Sequence, residues 1–295
     1  FFGPVLKQKK YYIQVVFASI FINIFALVSA FYIMTVYDRV IPNDALETLT
    51  MLTVGMGIVI LFDFAMKMIR GSLTDTAGIK IDEDVANKIF NHISRNEKFI
   101  GNQSIGKTAS TIKEFDLLKD VLASATFVTF ADLPFIILFL FVLYTLGGTI
   151  AAIPAIIVIF VIVVGILVQP LIKRAAKNVQ GNDQDKQSIL VEVLSGLETL
   201  KSLKGINLFY ERWKKSIESQ GDAVKKTRFW GQVSSNIAQT GQQLSQVGVV
   251  VYGVILINES NMTMGSLIAC VILSGRTLAP LGLITNLISR INHAI

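Results

Sequence analysis

The chain has 295 residues, of which 52% are apolar and only 16% are charged. A soluble globular domain usually has about a quarter of its residues charged, so this composition disfavours an ordinary soluble protein. The single cysteine, Cys270, excludes an intrachain disulfide. The two histidines, His92 and His293, are far apart in sequence, which disfavours a metal site. The net charge is +6.

Two long charge-free runs indicate membrane spans. Residues 11–37 contain no Asp, Glu, Lys or Arg, and neither do the 40 residues 133–172. Because roughly 20 apolar residues cross a hydrocarbon core, the first run fits one span and the second fits two. Gly147 and Gly148 stand where the second run should fold back. Backbone groups in lipid must be satisfied within the segment, so we predict an all-α membrane protein.

In chain order, we predict a single domain over residues 1–295 with six transmembrane helices. An interfacial elbow segment, residues 1–11, precedes the first span. The six predicted spans cover residues 12–36, 48–68, 121–144, 149–172, 229–257 and 264–288.

Two hydrophilic stretches separate the spans, residues 70–120 after span two and residues 173–228 after span four. Both keep helical periodicity. The apolar positions are Ile81, Val85, Ile89 and Ile93 in the first stretch, and Ile189, Val193, Leu197 and Leu200 in the second. We therefore predict helical hairpins that continue the spans into water, and we name them the first arm (70–120) and the second arm (173–228).

Basic residues are concentrated in the two arms. Residues 80–119 of the first arm hold 7 Lys and Arg residues and the second arm holds 12, whereas the three short connections between spans hold one, Arg39. Positively charged segments stay on the cytoplasmic side of a membrane. We therefore predict cytoplasmic arms and cytoplasmic termini. This distribution also accounts for the net charge without nucleic-acid binding.

Residues 101–108 (GNQSIGKT) match the phosphate-loop pattern G-x-x-x-x-G-K-[ST]. That pattern binds phosphate only where a buried strand enters the loop and a helix leaves it. Here the preceding residues 91–98 are polar and have helical periodicity. We therefore interpret the match as a turn and predict no nucleotide site in it.

Seven uncharged polar residues of the fifth span lie on one face. At 100° per residue they occupy an arc of about 120°, and lipid disfavours such a face. One interpretation is a wetted path for a polar, extended substrate, and the other is hydrogen bonding between helices. Seven residues are many for helix association alone, which favours the path. They are Gln232, Ser235, Asn236, Gln239, Gln242, Gln243 and Gln246.

Charged residues also lie inside the predicted spans. Arg276 is near the middle of span six and Asp132 is within span three; a charge in the bilayer costs from ~3 kcal/mol upward, so each needs a partner or a cavity. Pairing of these two residues and lining of the translocation path both remain open. Asp63 and Lys67, four residues apart, are predicted to pair with each other.

Four motifs follow one another along the chain: residues 37–43 (YDRVIPN), 132–135 (DLPF), 192–201 (EVLSGLETLK) and 265–281, which begins with GSLIAC and ends with GRTLAPL. With six spans and two long arms, this arrangement resembles the transmembrane domain of bacterial type I secretion ABC transporters, the haemolysin-exporter-like permease/ATPases. The resemblance covers essentially the whole chain.

This resemblance implies the ABC exporter transmembrane domain fold, as a homodimer of half-transporters in the bacterial inner membrane. The cargo would be an unfolded polypeptide, such as an RTX-type toxin, adhesin or protease. The implied partners are a nucleotide-binding domain, a periplasmic adaptor (membrane fusion) protein, a TolC-like outer-membrane channel and the secreted polypeptide.

The chain begins with Phe1 and stops at Ile295, so we expect a piece of a longer protein that lacks the nucleotide-binding domain. ATP and Mg would bind in that domain, and this fragment would have no catalytic residue, cofactor or metal of its own. Two alternatives are an ABC exporter of lipids or small molecules, and a secondary transporter or channel.

The resemblance further implies that the arm tips are coupling helices, which contact the ATPase domain. The tips map to residues 100–108 and 203–213, and three exposed aromatic residues in the second tip are typical of a contact surface. The other interpretation is an ordinary solvated turn. The predicted coupling residues are Ile100, Gln103, Ile105, Lys107, Leu203, Ile206, Phe209, Tyr210 and Trp213.

Overall fold

The computed structural model describes residues 9–95 and 126–294, which form helices joined by short turns, and no β-strand occurs in these ranges. A π-helical turn, Val36–Val40, follows the first helix, and a 3-10 turn, Gly148–Ala151, joins the helices Pro134–Gly147 and Ala152–Ser195. The predicted all-α class is confirmed for these ranges. The helices are α1 (Lys9–Thr35), α2 (Leu46–Arg95), α3 (Thr126–Asp132), α4 (Pro134–Gly147), α5 (Ala152–Ser195), α6 (Leu197–Ser202), α7 (Ile206–Asn258) and α8 (Met264–Ala294).

Three helices are much longer than a membrane crossing requires. Helix α2 has 50 residues, α5 has 44 and α7 has 53, whereas about 20 residues cross the hydrocarbon core. In each of them the additional residues belong to a hydrophilic stretch of the sequence. The spans therefore continue into the arms as unbroken helices, as the periodicity predicts.

Within residues 9–95 and 126–294, five segments are long and apolar enough to cross a membrane. They are Lys10–Val40, Leu46–Lys88, Pro134–Ser195, Ile206–Asn258 and Met264–Gly282. The third segment has 62 residues and contains α4, the 3-10 turn and α5. Gly148 interrupts it with φ = 57°, a left-handed conformation that glycine adopts without steric cost. The protein is thus a multi-pass membrane protein, and the count of six spans stays a prediction.

Helix α8 lies at the centre of the helical packing. It contacts α1, α3, α4, α5 and α7, and it is the most buried of the five candidate segments. The principal apolar core surrounds it. Buried members of this core are Ala26, Ala30, Phe139, Leu143, Ile150, Ala151, Val249, Met262, Leu267, Ala269, Cys270 and Leu273.

Helix α2 has the opposite environment. It packs chiefly against α1, and none of the 18 residues in its most apolar window is buried within the chain. Met51, Leu61 and Phe64 are exposed by 81%, 69% and 64%. Such a surface is incompatible with water, so it faces lipid or another protein chain.

The second arm consists of the end of α5, the short helix α6 and the start of α7. The chain turns at the start of the predicted tip, residues 203–213, where Lys204 has a positive φ of 52° and α7 begins at Ile206. A further break was not predicted: α5 ends at Ser195, and Gly196 separates it from α6. The helical periodicity of residues 189–200 continues through this break, so the apolar pattern gives no sign of it.

Several predicted features lie outside the described residues. These include residues 1–8 of the interfacial segment, the tip of the first arm and the phosphate-loop-like residues 101–108. The predicted coupling residues in that tip are Ile100, Gln103, Ile105 and Lys107.

Candidate functional site

The seven polar residues of span five all lie on α7, and the structure divides them into two groups. Gln232, Asn236, Gln239 and Gln243 are exposed, within an arc of about 60° at 100° per residue. Ser235, Gln242 and Gln246 are partly buried along one edge of this arc. We name the seven residues together the amide face.

The partly buried edge of the amide face meets α8 at a glycine. A Cβ atom added to Gly275 would lie 2.7 Å from Nε2 of Gln246 and 3.4 Å from Nε2 of Gln242. The two amides thus pack where Gly275 has no side chain. Arg276, the next residue, is exposed. Arg276 thus follows, on α8, the glycine that the two amides contact, and its place in the translocation path stays a prediction.

A different face of α7 makes the helix contacts. Its buried residues are mostly small: Ala223, Thr227, Ser234, Ala238, Gly241, Ser245, Val249 and Gly253. A Cβ atom on Gly241 would lie 3.0 Å from Cγ2 of Val161 in α5, so the two helices approach closely. These small residues make the contacts of α7 within the described chain, and the four exposed amides take no part in them.

Asp132 pairs with Arg70 and not with Arg276, so of the two alternatives left open by the sequence, the pairing of Asp132 with Arg276 is not observed. Nη1 of Arg70 lies 3.2 Å from Oδ2 of Asp132, and the side chains are 18% and 19% exposed. Arg70 begins the first arm in the sequence, and the helical course of α2 places it beside α3. Asp132 has a partner and is only partly exposed, so pairing with Arg70 is a sufficient account of it.

Two polar residues of α1 complete the environment of this ion pair. The hydroxyl oxygen of Ser19 accepts a hydrogen bond from Nη1 of Arg70 at 3.2 Å, and Ser19 is fully buried. The amide of Asn23 donates to the Ser19 carbonyl at 2.8 Å and lies 3.4 Å from Oδ1 of Asp132. Sequence reasoning missed Arg70, Ser19 and Asn23. The sequence signal that could have identified Ser19 and Asn23 is that they are two polar residues, four positions apart, in a charge-free span.

Asp63 and Lys67 form the predicted ion pair within α2, with 2.5 Å between Nζ and Oδ2. Because the two residues are one helical turn apart, this pair joins no second helix. It provides an internal comparison for the pair between Arg70 and Asp132.

Asp38 is a further residue that sequence reasoning did not single out. It lies in the π-helical turn after α1 and contacts the start of α8. Residue 265 must be glycine at this approach, because a Cβ atom there would overlap the carbonyl oxygen of Met34 and lie 2.6 Å from Cγ of Asp38. The motif residues 37–43 and 265–270 thus meet in space.

The tip of the second arm is described from Leu203 to Trp213, and its aromatic residues differ in exposure. Tyr210 is 61% exposed and Leu203 is 75% exposed, as the contact-surface interpretation requires. Phe209 and Trp213 are only partly exposed, so the prediction of three exposed aromatics is wrong for these two. They share a helical face with the buried residues Ala223 and Thr227, which turns them toward the interior of the arm.

In the part of the chain that the structure describes, no group of three or more His, Cys, Asp or Glu residues could hold a metal ion.

A family model described as the ABC transporter transmembrane region matches residues 12–281. The chain belongs to this family. This ABC transporter transmembrane region has long helices that continue beyond the membrane. It also has the exposed amide face, which lies on the apolar half of α7. The predicted family is thereby confirmed.

Similar proteins include three toxin exporters. The chain is 25% identical over 285 residues to the toxin RTX-III translocation ATP-binding protein of Actinobacillus pleuropneumoniae. It is 26% identical to the leukotoxin translocation protein LktB of Bibersteinia trehalosi and to the exotoxin translocation protein PaxB of Pasteurella aerogenes. Each alignment covers 95% of this chain and 40% of the relative. This ABC transporter transmembrane region thus spans two fifths of those proteins, and the predicted resemblance to RTX exporters is confirmed.

Proposed function

We propose that the chain lines the translocation path of a type I secretion exporter for an unfolded polypeptide of the RTX toxin, adhesin or protease kind. The observation that carries this proposal is the exposed amide face of α7, in a chain that aligns over 95% of its length with toxin translocation proteins.

The amide face suits an extended polypeptide for a physical reason. An unfolded chain presents backbone N–H and C=O groups, and each loses free energy if it leaves water without a hydrogen-bond partner. Gln and Asn side chains both donate and accept, so they can replace water along the path. Because they carry no charge, they do not hold one charged segment of the cargo. Arg276 adds a positive charge beside this face.

The complete exporter, in this proposal, is a homodimer in the bacterial inner membrane with cytoplasmic termini. A nucleotide-binding domain holds ATP and Mg and supplies the hydrolysis, while the present chain contributes no catalytic group. A periplasmic adaptor and a TolC-like outer-membrane channel continue the path outward.

The second arm would connect the path with the nucleotide-binding domain. Leu203, Ile206 and Tyr210 are exposed at its tip and form the contact surface in this proposal. Helix α7 runs without interruption from that tip to the amide face, so a displacement of the tip reaches the path through one helix.

The proposal is tested with the full-length protein in proteoliposomes together with its adaptor. An unfolded RTX polypeptide should stimulate ATP hydrolysis several-fold and should be protected from protease inside the vesicles. The same polypeptide, folded beforehand with Ca²⁺, is the matched control and should be neither stimulatory nor transported. Stimulation by lipids or small apolar molecules, with none by the unfolded polypeptide, would favour the alternative exporter class.

A further inference from the structure

The ion pair between Arg70 and Asp132 closes the base of the first arm. Arg70 is the first residue of that hydrophilic stretch, and Asp132 lies shortly beyond its end, 62 positions later in the chain. Nη1 of Arg70 lies 3.2 Å from each of the two carboxylate oxygens. The helices that enter and leave the arm are therefore joined where the arm meets the spans.

Helix α1 is attached to the same point. Ser19 accepts a hydrogen bond from Arg70, and Asn23 reaches both Ser19 and Asp132. Further along the arm, Nζ of Lys80 lies 2.6 Å from the hydroxyl oxygen of Tyr11, near the start of α1. Helix α1 thus contacts α2 at two levels, and it also packs against the central helix α8.

A weak point in the backbone lies directly beside the pair. Asp132 is the last residue of α3, and Pro134 is the first residue of α4. Proline has no backbone N–H and cannot complete the hydrogen bond to the carbonyl four residues earlier. The backbone can therefore bend at this junction with little loss of helical hydrogen bonding, while the ion pair fixes the α3 side of it.

We propose that Arg70, Asp132, Ser19 and Asn23 transmit the displacement of the first arm to α1 and, through α1, to α8 beside the amide face. We name these four residues the arm-base cluster. They are positioning residues, since none contacts cargo or nucleotide in this scheme. Separating two opposite charges whose side chains are only 18% and 19% exposed is costly, so α2 and α3 move together and carry α1 with them. The inference rests on the proposed function, because it supplies a transmission route for an ATP-driven exporter.

The test uses the full-length protein and measures exported polypeptide per ATP hydrolysed. Arg70→Met and Asp132→Asn should lower this ratio several-fold while ATP hydrolysis continues. In the double variant Arg70→Met/Asp132→Leu, here called the neutral pair, neither position carries a charge, so no unpaired charge is left to destabilise the fold. The connection between α2 and α3 is still missing, so this variant should fold and still show the low ratio. The reversed pair Arg70→Asp/Asp132→Arg re-forms the ion pair and should recover much of the ratio.

Asp63→Asn is the matched control. This substitution breaks an ion pair in which both residues belong to α2. Because the pair connects no second helix, the ratio of exported polypeptide to ATP hydrolysed should stay at the wild-type value. A neutral pair with a wild-type ratio, or a parallel loss of hydrolysis and export in every variant, would show that the arm-base cluster only stabilises the fold and would overturn the inference.

A second measurement needs no cargo. Hydrogen exchange of α1 should change when the full-length wild-type protein binds ATP, and the neutral pair should lose this change. If the wild type exports no polypeptide but this difference is observed, the proposed function fails and the inference stands. If α1 responds to ATP equally in both proteins, the inference fails whether or not export occurs.

Discussion

The carboxylate of Asp38 binds the N-terminus of α8, where its Oδ1 accepts the backbone N–H of Gly265 at 2.8 Å. Oδ2 accepts the hydroxyl of Thr263 at 2.6 Å. The first N–H groups of a helix have no partner within the helix, and the positive end of the helix dipole favours an acid there. A residue that follows the first helix thus caps the last one.

Replacing this cap should destabilise the fold. We expect Asp38→Ala to lower the free energy of unfolding by about 1–2 kcal/mol, because it removes an N-terminal cap and a favourable charge. Thermal unfolding of the purified protein in detergent measures the change. Glu259→Gln, an exposed acid in the neighbouring turn, is the control and should leave the midpoint unaltered. Equal midpoints for the two variants would contradict the capping role.

Gly265→Ala should be destabilising by roughly 1–3 kcal/mol, the usual range for an overpacked position. The added methyl group would overlap a backbone carbonyl oxygen, which cannot move aside as a side chain can. Gly57→Ala offers a matched comparison, since nothing lies within 4 Å of a Cβ atom there. That variant should be neutral or more stable by up to about 1 kcal/mol, because alanine favours helix. Similar losses of stability in Gly265→Ala and Gly57→Ala would disprove the close approach at residue 265.

The amide face should be accessible to water. We expect Gln239→Cys and Gln243→Cys to react with a membrane-impermeant maleimide, since a thiol needs water to ionise and react. Leu244→Cys, next to Gln243 but outside the polar arc, is 61% exposed within the chain and should stay unreactive in lipid. The native Cys270 is fully buried and contributes little background. Comparable labelling of positions 243 and 244 would argue against a wetted path.

A polar contact should stiffen the second arm. Nζ of Lys186 lies 3.0 Å from Oε1 of Gln220 and 3.1 Å from Oδ1 of Asp183, and Gln220 also donates to Asp183. Gln220→Leu removes these hydrogen bonds between α5 and α7. At about 1 kcal/mol for each of the two hydrogen bonds, the loss is about 2 kcal/mol, and amide hydrogen exchange in this part of the arm should become about 30-fold faster.

Glu218→Gln, an exposed neighbour, is the comparison for that variant and should exchange at the wild-type rate. If Gln220→Leu also exchanges at that rate, the polar contact of Gln220 does not stiffen the arm.

Features that depend on a regular helical periodicity or on a biased local composition could be predicted from the sequence. The charge-free run at 133–172 shows its membrane location, and the polar arc from Gln232 to Gln246 is visible because α7 is regular. The pair of Asp63 and Lys67 was predictable for the same reason, since both residues lie on one helix.

Contacts between distant segments could not be predicted in this way. Asp132 could have paired with any intramembrane cation, and the choice of Arg70 depends on how α2 and α3 pack. The cap by Asp38 depends on a π-helical turn and on the absence of a side chain at Gly265. Phe209 and Trp213 look like surface aromatics in sequence, yet the direction of their helical face depends on the partner helix.

The continuity of α7 has a mechanical consequence. With 53 residues and no proline from Ile206 to Asn258, it is a rod about 80 Å long at 1.5 Å per residue. Helix α5, its neighbour, contains Pro170 and has a natural site for a kink. A tilt of about 5° around the midpoint of the rod would move each end by about 3–4 Å at that length. The two ends of the rod would then move in opposite directions, and the amide face, which begins near the midpoint at Gln232, would shift less than either end.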